Sequence, residues 1–138
     1  SWGGYTAQQA SGLTPAEYLR NANRITMVFA MVETAEALEN VESIAATPGL
    51  DGLFVGPSDL SIALSRGERV DKTGAETLAA MRKVADAARK NGLVAGAFGG
   101  TAEVSSTYLG LGFTFLAAGV EVDLMQAGAA AINKALRV

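Results

Sequence analysis

Four short apolar runs alternate with helical segments along the chain, and this alternation restricts the possible folds more than any other feature of the sequence. The runs lack polar alternation, which is typical of strands covered on both faces. They lie at residues 25–32, 52–55, 93–98 and 113–118. The helices that follow them are predicted at residues 35–46, 73–91, 101–110 and 122–136. Strands and helices in this order predict an α/β protein with a parallel sheet, either doubly wound or a barrel.

The chain of 138 residues is the size of one modest domain, and we predict a single domain over residues 1–138. Its opening residues, 1–13, are predicted to form a loop. Thr14 and Glu17 have the spacing of a capping box, which predicts a short helix that ends near Asn23. A second capping box is predicted at Thr73 and Glu76, before the third helix of the alternating pattern.

The residues after the first apolar run distinguish between the doubly wound fold and the barrel. A doubly wound nucleotide-binding fold would have a glycine-rich phosphate loop at this position. The chain has the acidic segment VETAE at residues 32–36, which would repel phosphate. A barrel is therefore favoured, although four βα units make only half of a (β/α)8 barrel.

Two carboxylates follow consecutive predicted strands at the point where each strand ends. Glu33 follows the first strand and Asp59 follows the second, so the two would be about 5 Å apart if these strands pair. Catalytic groups gather at this end of barrel strands, where two convergent carboxylates share either a proton or a cation. A hard cation that keeps some of its water is the simpler solution. The alternative is that each acid only begins a helix, with Ser58 as the cap before Asp59.

The composition limits the chemistry further. The chain has no histidine and no cysteine, so a metal would be held by oxygen and should resemble Mg2+ or Mn2+. A net charge of -3 without a basic cluster predicts no positively charged surface that would bind nucleic acid. The longest apolar run, residues 109–120, is too short to span a membrane. No targeting segment is seen, and the lack of cysteine fits a cytoplasmic protein that acts on small molecules.

Two sequence blocks resemble the HpcH/HpaI family of class II pyruvate aldolases. They are MVETAEALEN at residues 31–40 and GLDGLFVGPSDLS at residues 49–61, and the likeness covers most of the chain after about Thr14. The resemblance implies the C-terminal half of a TIM-type (β/α)8 barrel. It implies that Glu33 and Asp59 bind Mg2+ or Mn2+, with Co2+ as a further option. It also implies that the backbone around Gly56, Pro57 and Ser58 holds the carboxylate of pyruvate.

The implied reaction is the cleavage of a 4-hydroxy-2-oxo acid to pyruvate and an aldehyde through a metal-bound pyruvate enolate. The catalytic residues of this chain are unknown, because the catalytic His and the enolate-stabilising Arg of the family lie in the first half of the barrel. Met31 stands where many members of the family have Gln, so the role of that Gln is not transferred.

Three other interpretations remain open at this stage. A Schiff-base aldolase is disfavoured because the lysines fall on predicted loops or helix exteriors. A citrate-lyase-like lyase of a coenzyme A thioester would need a basic rim, for which Arg66 and Arg69 are the candidates. A non-catalytic half-barrel that acts only by association is the third. The two unpaired sheet edges and the apolar interior of such a half-barrel predict a homo-oligomer or a complex with the missing N-terminal half.

Overall fold

Four parallel strands form one sheet in which the spatial order of the strands follows their order along the chain. The molecule is described by a computed structural model that covers residues 5–136. The strands are β1 Phe29–Val32, β2 Gly52–Val55, β3 Val94–Gly100 and β4 Phe115–Ala118. Each strand pairs with the next in parallel, and β3 has an irregularity between Phe98 and Gly100. The predicted α/β class with a parallel sheet is confirmed.

Helices precede β1 and follow every strand of the sheet. They are α1 Tyr5–Ser11, α2 Pro15–Ile25, α3 Ala35–Glu39, α4 Val41–Ala45, α5 Pro57–Leu64, α6 Ala75–Lys90, α7 Ala102–Gly110 and α8 Glu121–Leu136. Within residues 5–136, no helix has both the length and the apolar character needed to cross a bilayer.

Several predicted boundaries are wrong at the N-terminal end. The loop predicted at residues 1–13 contains α1, and residues 1–4 lie outside the described part of the chain. The strand predicted at residues 25–32 begins only at Phe29, because Ile25 is the last residue of α2. The capping box at the start of α2 is confirmed: the Thr14 hydroxyl accepts from the Glu17 N–H, and the Glu17 carboxylate accepts from the Thr14 N–H at 2.9 Å.

Two predicted helices also begin or end differently. The helix predicted at residues 35–46 is divided into α3 and α4 at Asn40. The second predicted capping box is wrong, because Gly74 is the residue before α6 and no side chain caps this helix. The Thr73 N–H donates to the Asp71 carboxylate instead, at 3.4 Å.

The hydrophobic core lies between one face of the sheet and helices α4 to α7. Alternate strand residues point toward these helices, as the period of two requires. The largest side chains with no exposed surface are Tyr108, Leu53, Leu60, Met81, Val32, Val41, Val55 and Val84. Helices therefore cover this face. The apolar runs predicted strands covered on both faces, which is wrong for residues 5–136, because side chains on the other face remain partly exposed.

The opposite face of the sheet carries large apolar side chains that remain partly exposed. Met31 is 54% exposed and Phe115 is 50% exposed. The rings of Phe29, Phe54 and Phe115 pack together, with centroids 5.3 to 6.5 Å apart. This cluster occupies what would be the interior of a barrel, and other protein surface is needed to cover it fully.

Tyr108 joins α7 to the loop before α6. Its side chain is fully buried, and its hydroxyl donates to the main-chain carbonyl of Lys72 at 2.9 Å. Burial raises the pKa of Tyr108 to about 12. Because tyrosine in an unfolded chain titrates near pH 10, the fold favours the protonated phenol. The stability that the protonated phenol contributes to the fold is complete below about pH 10 and is lost as the pH rises toward 12.

We expect Tyr108→Phe to lower the free energy of unfolding by about 1–2 kcal/mol at neutral pH, because the Lys72 carbonyl loses its buried donor. Urea unfolding at about pH 8 and pH 11 tests this. The wild type should lose more stability between these pH values than Tyr108→Phe does. Equal losses in the two proteins would contradict the assignment of this pH dependence to Tyr108.

Candidate metal and substrate site

Glu33 and Gly56 lie side by side at the carboxyl edge of the sheet. β1 and β2 pair in register from Phe29↔Gly52 to Val32↔Val55, and Glu33 and Gly56 are the next residues on each strand path. Three residues after Gly56, Asp59 lies in the first turn of α5, whose first residue is Pro57. The alternation of strand and helix thus brings the two predicted carboxylates to one edge, as the sequence indicated.

The space above Gly56 shows how closely the two carboxylates approach. Glu33 Oε2 lies 2.8 Å from the position that a Cβ atom on Gly56 would take, and Asp59 Oδ2 lies 3.6 Å from it. The two oxygens are therefore at most 6.4 Å apart, the sum of these distances. Such oxygens can meet at one cation with small side-chain adjustments, because Mg2+ and Mn2+ bind oxygen at about 2 Å.

Among residues 5–136, neither carboxylate forms an ion pair with a basic side chain. Within residues 5–136, the ion pairs join Arg69 with Glu76, Arg89 with Asp86, and Lys90 with Glu42. Glu33 is half-buried, whereas Asp59 is exposed. The edge of the sheet therefore has two negative groups whose charge a cation could balance.

The alternative explanation, that each acid only begins a helix, fits one of the two residues. Asp59 lies in the first turn of α5, where negative charge is favourable. Glu33 lies before Thr34, and the hydroxyl of Thr34 caps α3 by accepting from the Ala37 N–H at 3.1 Å. The prediction of Ser58 as a cap is wrong, because Gly56 holds that position and no side chain caps α5. Capping thus leaves the position of Glu33 unexplained.

A cavity of about 260 Å³ opens beside the two acids and brings every predicted site residue together. It is lined by Met31, Glu33, Phe54, Gly56, Pro57, Ser58, Asp59 and Phe98. Met31, Phe54 and Phe98 were not identified from the sequence as site residues. For Met31 and Phe54 the signal was their position two residues before Glu33 and Gly56, because residues two apart on a strand face the same side.

Among residues 5–136, no group of three potential metal ligands converges. A site with two protein carboxylates is the kind in which Mg2+ keeps several water molecules or binds substrate oxygens. A larger depression, about 680 Å³, lies between α1 and α2, but its lining has no carboxylate. The two-acid edge is thus the better candidate for a metal.

The residues of the competing interpretations lie away from this cavity. Its lining includes no lysine, and Lys83 and Lys90 bond to the Leu38 carbonyl and to Glu42 on the outer helices. The lining includes neither Arg66 nor Arg69, and Arg69 pairs with Glu76 at 3.2 Å. A Schiff-base lysine or a basic rim for coenzyme A therefore has no support in the cavity.

A model of one protein family, described as HpcH/HpaI aldolase/citrate lyase, matches residues 6–127 of the chain. The chain belongs to this family. The resemblance noted in the two sequence blocks is thereby confirmed, and it extends over nearly the whole chain.

The chain is similar to full-length proteins of the HpcH/HpaI family but spans less than half of their length. It is 39% identical over 109 residues to the hydroxypyruvate/pyruvate aldolase of Paraburkholderia phytofirmans, covering 79% of this chain and 41% of that protein. It is 34% identical over 116 residues to the 4-hydroxy-2-oxo-heptane-1,7-dioate aldolase of Klebsiella pneumoniae. The match covers 84% of this chain and 43% of that protein.

A solved structure of the HpcH/HpaI family supports the fold. The family protein from Burkholderia cenocepacia superposes with a TM-score of 0.73 at 31% identity, covering 88% of this chain and 47% of that protein. The four βα units thus correspond to about half of an HpcH/HpaI barrel, which confirms the predicted half-barrel.

Proposed function

We propose that this chain forms the metal- and substrate-binding half of an aldolase that cleaves 4-hydroxy-2-oxo acids to pyruvate and an aldehyde. The observation that carries the proposal is the approach of Glu33 and Asp59 to one point above Gly56. Membership of the HpcH/HpaI family supports it, since similar proteins are named as aldolases of such acids. We assign the reaction to a complete barrel, because this chain spans less than half of the length of these relatives.

Glu33 and Asp59 are the residues that would hold a divalent cation. Their oxygens suit Mg2+ or Mn2+, and Co2+ is a further candidate. When bound, the cation would act as a Lewis acid that polarises the keto group and balances the negative charge left as the carbon–carbon bond breaks. Hydrophobic neighbours on the cavity floor would limit competing water around that charge.

The start of α5 would hold the carboxylate of the substrate. Pro57 has no N–H, so the first free main-chain donors of this eight-residue helix are those of Ser58 and Asp59. The positive end of a helix favours a carboxylate at this place. Gly56 has no side chain to obstruct the approach of a ligand to the backbone. This half of the site therefore binds and orients the 2-oxo acid.

The proton of the 4-hydroxyl group needs an acceptor, and the described residues that line the cavity offer none apart from the two proposed metal ligands. The chain has no histidine, and Glu33 and Asp59 would be engaged with the cation. We therefore expect the missing N-terminal half-barrel, or a neighbouring subunit, to contribute the base. The exposed apolar face around Met31 and Phe115 supports such an association, whether with that half or in a homo-oligomer. A cytoplasmic location stays a prediction from composition.

Gly56→Ala should weaken Mn2+ binding about tenfold without a large loss of stability. The new Cβ atom would lie 2.8 Å from Glu33 Oε2, so this carboxylate must move. The backbone tolerates alanine, because φ at Gly56 is -89°. Mn2+ titration and urea unfolding measure the two effects. Gly110→Ala is the matched control, because apart from its own helix and chain neighbours no described residue lies within 4 Å of its new Cβ atom. Unchanged affinity in Gly56→Ala would contradict the proposed ligand geometry.

The direct test of the reaction measures pyruvate release from a 4-hydroxy-2-oxo acid with Mn2+, with and without EDTA. The chain is assayed alone and together with the first half of a complete family barrel. We expect release only in the combined sample, with loss of activity in EDTA and in Glu33→Ala or Asp59→Ala. If neither sample releases pyruvate and the chain does not bind Mn2+, a non-catalytic half-barrel is the better account.

A further inference from the structure

The cavity beside the two carboxylates has a polar end and an apolar end. Met31 on β1 and Phe54 on β2 are register partners, so their side chains lie side by side on the same face of the sheet. Because Phe54 pairs with Gly96, Phe98 lies one level above Gly96 and level with Gly56. At the carboxyl edge of the sheet, a row of neighbouring residues thus runs from Glu33 through Gly56 to Phe98. Two residues earlier on β1 and β2, Met31 and Phe54 form the floor of the cavity.

The apolar end is held in place by packing. The Phe54 ring packs edge-on against Phe115, with centroids 6.3 Å apart. Phe98 is half-buried, and its ring edge lies 3.5 Å from the position of a Cβ atom on Gly100. Met31 is 54% exposed, so a ligand in the cavity can reach its thioether. Besides the two acids, the polar side chain in the lining is Ser58, which is on α5 at the acid end.

We propose that Met31 and Phe98 select the 2-oxo acid by the group that its C3 carbon carries, and that they favour an apolar group over a hydroxyl. This inference rests on the proposed function. The carboxylate and keto oxygens of the ligand belong at the end formed by Glu33, Asp59 and the start of α5. The group on C3 then meets the apolar end, where a hydroxyl finds no side-chain partner and a methyl group gains contact.

The preferred order of ligands follows from this lining. A 2-oxo acid with one more methylene, 2-oxobutanoate, binds about fourfold more tightly than pyruvate, the gain expected for burying one methylene. Hydroxypyruvate, which adds a hydroxyl at C3, binds more weakly than pyruvate. Met31→Gln places a polar group of similar size on the floor and shifts the ratio of the two affinities toward hydroxypyruvate by roughly threefold or more. Phe98→Ala removes the advantage of 2-oxobutanoate.

The test titrates the three 2-oxo acids into the Mn2+-loaded chain and follows the water-proton relaxation rate. Met125→Gln is the matched control, because it makes the same substitution at a side chain on α8 that is 66% exposed and lies outside the cavity. This control keeps the wild-type order of affinities. The specificity assignment is overturned if hydroxypyruvate binds most tightly to the wild type, or if Met31→Gln and Phe98→Ala leave the ratios unchanged.

Failure of this inference is distinguishable from failure of the proposed function. If Mn2+ and oxalate bind to the chain but the three 2-oxo acids bind equally well, Met31 and Phe98 have no selective role and the metal site stands. If Mn2+ itself does not bind, both the metal site and the selection of ligands at C3 are overturned.

Discussion

Glu33→Gln and Asp59→Asn should each weaken Mn2+ binding by about a hundredfold or more. Even residues that only support a metal ligand typically change affinity 10–100-fold when they are replaced, and these two would contact the cation directly. Each amide keeps the shape of the side chain but removes its charge. The fold should be unaffected, because within residues 5–136 neither carboxylate forms an ion pair. Isothermal titration with Mn2+ measures the change.

Glu36→Gln is the matched control for these substitutions. Glu36 lies three residues after Glu33, in the first turn of α3, and its side chain is exposed. It does not line the cavity, so its variant should bind Mn2+ as the wild type does. Equal affinity in Glu33→Gln and Glu36→Gln would contradict the assignment of Glu33 as a ligand.

Gly52→Ala should lower the free energy of unfolding by about 3 kcal/mol, the upper part of the range for overpacked sites. The new Cβ atom would lie 2.3 Å from the Phe29 ring and 2.8 Å from the main-chain oxygen of Val94. The ring could turn only by disturbing its packing against Phe115, and the oxygen belongs to the neighbouring strand. A loss of this size is a large part of the total stability of a small domain.

Urea unfolding of Gly52→Ala and Gly128→Ala tests this prediction. Gly128 lies within α8, and apart from the backbone of this helix no described residue stands within 4 Å of its new Cβ atom. Alanine is the better helix former, so the control should keep or gain stability, by up to about 1 kcal/mol. A Gly52→Ala variant as stable as the wild type would show that the aromatic cluster adapts at little cost.

The sequence predicted the strands and the acids because both depend on local patterns. Apolar runs mark buried strands, and the sharp change from Val32 to Glu33 marks the end of β1 at the edge of the sheet. Parallel pairing of consecutive strands then brings Glu33 and Gly56 together without further information. The position of the candidate site was therefore predictable from its neighbours in the chain.

The wrong predictions lie where contacts between residues that are distant in the chain override the local sequence patterns. Residues 25–28 are as apolar as a strand, but the Val28 N–H donates to the Asp51 carboxylate at 2.7 Å instead of joining the ladder. At the start of α6, the Asp71 carboxylate lies where a side chain on Gly74 would be. Gly74 thus takes the cap position that the sequence pattern assigned to Thr73.

The position of Phe98 in the cavity was out of reach of sequence patterns. Phe98 lies in an apolar run that shows no polar alternation and contains no predicted site residue, so nothing local separates the core face from the opposite face. The register between β2 and β3 decides that Phe98 stands level with Gly56. Such a side-by-side position depends on pairing across more than forty residues of chain, which periodicity does not encode.

The measurement that most directly tests the central claim is electron paramagnetic resonance of Mn2+ added to this chain with pyruvate. The pyruvate is labelled with an oxygen isotope that carries a nuclear spin. If Glu33 and Asp59 hold the cation and the 2-oxo acid binds beside them, the labelled pyruvate broadens the Mn2+ lines. That broadening disappears in Glu33→Gln and Asp59→Asn. A spectrum that remains that of free Mn2+ in the presence of the wild-type chain would contradict the account.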